Sequence, residues 1–131
     1  MSDSKCPRWP MSEKHPCYLN EFKEKEMVYF CLQYPDWKRR LNYILLQEGK
    51  DPTYKEAAIR NMCEQNIKIV EDACKSVYRE QWEVLLKGVT DQKSNWYNIK
   101  LVHDIKCGKD KYYEYKHMVY YYVSLKDRIR E

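Results

Sequence analysis

From residue 20 onward the apolar positions recur at helical spacing, and proline, glycine and short polar runs cut them into segments. Asn20 opens "NEFKEKEMVYFCLQY" as a helix cap, and this segment ends at Tyr34 because Pro35 disfavours helical geometry in the residue before it. Pro35 and Asp36 suit the first turn of a second helix carrying Trp37, Leu41, Ile44 and Leu45 on one face, with Gly49 as its stop. Asp51-Pro52 is the clearest helix start in the chain. Behind it, Ala58, Ile59, Met62, Cys63, Ile69, Val70, Ala73, Cys74 and Val77 form a wide stripe that needs a cover. The stripe predicts packing on the first two helices, or alternatively a dimer seam whose register Asn66 fixes. The helix is expected to continue through Trp82, Leu85 and Leu86 to Gly88.

After the polar break "TDQKS", with Ser94 as the expected cap, a short helix spans Trp96 to Ile105. The turn "KCGKD" and a longer helix from about Asp110 complete a helix-turn-helix arrangement. Its apolar slots fall in order on Leu101, Val102, Ile105, Cys107 and Tyr112, and Gly108 stands where the turn would need unusual backbone angles. Helical spacing then carries the inward stripe through Tyr115, Val119 and Tyr122. The opposite face would hold Lys109, Lys111, Tyr113, Lys116, His117 and Tyr120, the candidate contacts to DNA. The expected fold is all-α: an irregular arm over 1–19, a helical body over 20–90 and a helix-turn-helix unit over 91–131.

Charge supports a polyanionic partner at that end. The 131 residues carry a formal charge of +4, and it is unevenly spread: +2 over 1–50, −1 over 51–90 and +3 over 91–131. The order "YPDWKRRL", "DPTYKEAAIRNM", "GVTDQKSNWYNIKLVHDIKCGKDKYYEYKHMVYYYVSL" resembles the small phage and prophage transcriptional activators of the RinA/ArpU type, over roughly residues 27 to 126. The resemblance implies a sigma region-4-like helix-turn-helix at the C-terminus and regulation of late phage genes through double-stranded DNA. RNA polymerase and a second protomer of a homodimer would be its further partners. A small terminase-like packaging protein and a helical protein-interaction module are the alternatives.

The remaining chemistry is thin. Cys6, His15, Cys17 and Cys31 are soft zinc donors, but their spacing lacks a Cys-x-x-Cys knuckle, so no metal and no other cofactor is expected. His103, Asp104 and His117 near Cys107 resemble a nucleophilic pair only in residue type, and no phosphate-binding loop or paired carboxylate accompanies them. An enzyme is not expected. With no membrane-length apolar run and no secretory leader, the sequence points to the cytoplasm of a bacterial host, where the six cysteines would stay reduced.

Overall fold

The structure, a computed structural model, describes residues 13–47 and 54–130, with side chains described as far as residue 126. Among the described residues it is all-helical. The elements are α1 (Glu21–Leu32), α2 (Tyr34–Leu45), α3 (Tyr54–Val77), a 3₁₀ turn (Arg79–Gln81), α4 (Trp82–Thr90), α5 (Trp96–His103) and α6 (Lys109–Arg130). No helix among these residues is long and apolar enough to cross a membrane.

Local chemistry accounts for most of the boundaries. The Asn20 side chain accepts the Lys23 backbone N–H at 2.9 Å and so caps α1. Pro35 sits in the first turn of α2, where its missing N–H costs nothing. The expected stop at Gly49 and start at Asp51-Pro52 lie outside the described residues. α3 does not run on to Gly88. Tyr78 leaves helical geometry at φ −144°, ψ 77°, and the chain turns through Arg79–Gln81 into α4. The bend lets Tyr78 stack on Tyr115 of α6, with ring centres 4.8 Å apart, while Leu85 enters the core.

One core joins the segment 20–90 and the segment 91–131. Met27 and Cys31 of α1, Val70 and Cys74 of α3, Leu85 and Val89 of α4, and Tyr112, Val119 and Val123 of α6 belong to a single buried cluster. α3 packs on α2, α4 and α6, and α6 also packs on α1. Of the expected α3 stripe, Cys63, Val70, Ala73 and Cys74 are buried within one chain together with Asn66 and Ile67, whereas Ala58 and Met62 are exposed. Cys17 and Leu19 are buried too, so the end of the arm belongs to the body.

Candidate nucleic-acid interface at the corner of α5 and α6

α5 begins at its cap Asn95, one residue later than Ser94, with the Asn95 side chain accepting the Asn98 N–H at 2.9 Å. It ends at Asp104, whose φ of 51° and ψ of 53° make it the left-handed residue of the turn. That conformation was expected at Gly108. An aspartate tolerates it better than most side chains do, and Gly108 instead leaves an open surface with nothing near its α-carbon hydrogens.

Three side chains hold this corner in place. Gln81 accepts the Lys106 N–H at 2.6 Å and donates to the Asp104 carbonyl at 3.3 Å. Trp96 donates its indole N–H to the Cys107 carbonyl at 3.1 Å, and its backbone N–H reaches the Tyr113 hydroxyl at 3.2 Å. Lys100 donates to the Ile105 carbonyl at 3.1 Å. A rigid turn results, with both flanking helices tied to it.

The apolar register of α5 differs from the expected one. Leu101 and Val102, placed in the helix-turn-helix core by their spacing, are 85% and 71% exposed. The buried side is Ile99, flanked by half-buried Trp96 and His103 at offsets of three and four, a helical stripe of its own. Ile105, Tyr112 and Val119 are buried as expected, while Cys107 and Tyr115 are half-buried.

The expected outward face of α6 also divides. Lys109 and Lys111 in its first turn are exposed. Lys109 lies over the Tyr97 ring at 5.1 Å, and Lys111 pairs with Glu114 at 3.1 Å. Beyond them the helix is enclosed: no residue from Tyr112 to Leu125 is fully exposed. Tyr120 is buried. His117 Nδ1 meets the Glu24 carboxylate of α1 at 2.7 Å. Lys116 is folded over the rings of Tyr112 and Tyr113, at 5.4 and 5.7 Å from their centres. Burial holds its amine down at about 8, although Asp91 and then Cys31 act in the opposite sense. Lys116, His117 and Tyr120 thus belong to the interior, because α1 covers the side of α6 that was read as free.

What faces solvent is a lysine cluster around the corner: Lys93, Lys100, Lys106, Lys109 and Lys111 are all exposed. Lys100 and Lys106 share the Asp104 carboxylate at 3.2 and 3.0 Å. The hydrogen bonds of Lys106 and then Lys100 keep that carboxyl below its ordinary value. Glu114 is pushed up by partial burial, but hydrogen bonds from Lys111 and His15 outweigh this and hold it low. Five lysines against Asp104 and Asp110 leave residues 93–111 with a formal charge of +3.

Among the described residues the zinc candidates form no metal-ligating group. Cys6 lies outside the described residues. His15 Nδ1 accepts the Cys17 backbone N–H at 3.0 Å, and its Nε2 faces Glu114 at 3.3 Å, so both ring nitrogens are engaged. Cys31 is in the core, its thiol pushed up to about 12 by burial. No group of three or more metal-ligating side chains occurs among the described residues. His103 lines an open groove between α2, α4 and α5, together with Lys38, Glu83, Lys87 and Asp91. Gln81 and the left-handed Asp104 carry no sequence signal, whereas the Trp96, Ile99, His103 stripe is readable from spacing. Comparison with family models, with curated proteins and with solved structures finds no match to this chain.

Proposed function

We propose that this protein is a DNA-binding transcriptional regulator of phage origin that grips duplex DNA with the corner between α5 and α6. The observation carrying this reading is the group of five exposed lysines around a turn held by Gln81 and Trp96. Phosphate contacts from lysine supply most of the affinity of such proteins and fix their register. α5, the turn and the start of α6 take the part of a sigma region-4-like helix-turn-helix, in keeping with the resemblance to RinA/ArpU-type activators. Lys106, Lys109 and Lys111 are its primary phosphate contacts, and the bare Gly108 leaves room for a backbone to approach. The first turn of α6 is the part offered to a groove, since the helix is enclosed from Tyr112 to Leu125. Late phage genes are the proposed targets, RNA polymerase the proposed partner, and the cytoplasm of the bacterial host the setting.

The reading is tested by titrating the full chain against duplex DNA of mixed sequence over a range of salt concentrations. Affinity should fall steeply as salt rises, with a logarithmic slope of about −0.9 for each phosphate contact. A protein that ignores duplex DNA at low salt overturns the proposal.

A further inference from the structure

The outer side of α5 presents apolar side chains beside the lysines of the corner. Tyr97, Leu101 and Val102 are all exposed, Tyr97 at 61%. Tyr97 and Leu101 lie one turn apart on the side of the helix opposite buried Ile99, and Val102 follows Leu101 at its flank. They form a continuous ridge rather than scattered apolar side chains, and such ridges mark interaction surfaces.

The ridge and the lysines make one surface. Lys109, in the first turn of α6, holds its amine 5.1 Å from the centre of the Tyr97 ring and 3.4 Å from the Tyr97 hydroxyl. Lys100 and Lys106 share the single Asp104 carboxylate, which leaves that pair with a net positive charge. A polyanion gripped by Lys109 therefore lies against the ridge as well. Lysine amines suit phosphates, but Leu101 and Val102 gain nothing from a phosphate backbone. The apolar group that a duplex offers at its base edges is the C5-methyl of thymine, in the major groove. A helix with its side chains is about 10 to 12 Å across and that groove is about 12 Å wide, so α5 fits it.

We infer that α5 lies in the major groove with Leu101 and Val102 against thymine methyl groups, so that the protein selects A·T pairs by that methyl. This inference rests on the DNA reading and adds what is read: the lysines fix position through phosphates, and the ridge discriminates between bases. α5 shares the groove with the first turn of α6, whose Lys109 and Lys111 take phosphates at the groove's edge.

The test measures binding of the full chain to a duplex of alternating A·T pairs and to the same duplex with every thymine replaced by uracil, which removes only the methyl groups. No operator needs to be known, since every register of the first duplex presents methyls. Wild type should bind the thymine duplex more tightly, by about fourfold for each methyl buried. Leu101→Ala/Val102→Ala should bind both duplexes alike, close to the wild-type affinity for the uracil duplex and with the wild-type salt dependence, because every lysine is unchanged. Both substituted positions are exposed, and circular dichroism verifies that the variant folds. Equal affinity of the wild type for the two duplexes overturns the inference while leaving the DNA reading intact, and would assign the ridge to a protein partner. A preference for thymine that persists in the variant overturns it as well. Failure to bind either duplex at low salt overturns the DNA reading and the inference together.

Discussion

Lys116 is the residue where charge and burial conflict most sharply. Its amine is held down at about 8 against an ordinary 10.5, so between those values the unfolded chain binds the proton and the folded chain does not. Stability from this group therefore rises with pH from about 8 toward 10.5, and below 8 the buried cation is a net cost. Lys116→Met should raise unfolding free energy at pH 7 by on the order of 2 to 3 kcal/mol in urea titrations, and should flatten the rise above pH 8. No gain at pH 7 would mean the amine is solvated. The thiols act in the opposite direction. Burial raises Cys31 to about 12 and Cys74 well above 9.0, so above about pH 9 the unfolded chain loses protons that the folded chain retains, and stability falls. A maximum near pH 9 is expected, and in Lys116→Met the decline without the preceding rise.

Gly88 and Tyr112 form a second residue-scale pair. A β-carbon at Gly88 would collide with the Tyr112 hydroxyl, and that buried hydroxyl has no hydrogen-bond partner among the described residues. Gly88→Ala should cost about 1 to 3 kcal/mol by overpacking. Tyr112→Phe should be neutral or stabilising, because it removes an unsatisfied polar atom. The double variant should recover part of the alanine's cost, and additive effects in a double-mutant cycle would contradict the contact.

At the scale of elements, the capped and proline-opened helices were legible because their signals are local. Asn20, Pro35 and the break after Asp91 require only their neighbours. What spacing could not settle was which of two overlapping stripes on α5 faces inward. Leu101 and Val102 are the more apolar, yet Trp96 and Ile99 prevail because the indole also reaches the Cys107 carbonyl across the turn. Likewise, nothing in the sequence near 104–108 points to Gln81, which lies 25 residues before its partner Lys106. Gln81→Ala should leave the helices intact but speed hydrogen exchange at the Lys106 amide. Unchanged exchange there would show that the corner is held by other contacts.

For the whole molecule, the main departure from the expected arrangement is the position of α6. A helix read as one face core and one face free is surrounded by α1, α3, α4 and α5, and its tyrosines and Lys116 serve the interior. The cover comes from α1, more than 80 residues earlier in the chain, as the contact of Glu24 with His117 illustrates. Periodicity within one helix carries no record of such a partner. The basic character of the C-terminal segment was legible, but its location shifts from the length of α6 to the corner that precedes it. That shift separates the residues proposed for DNA contact from those that serve stability.

Lys109→Ala/Lys111→Ala and Lys116→Met therefore give the most direct test, compared with wild type in salt titrations of duplex binding. The corner double variant should lose affinity and reduce the logarithmic salt slope by about 1.8, two contacts at about 0.9 each. Lys116→Met should bind DNA with the wild-type slope. A corner variant with unchanged slope, or a Lys116 variant that loses as much, would contradict the account.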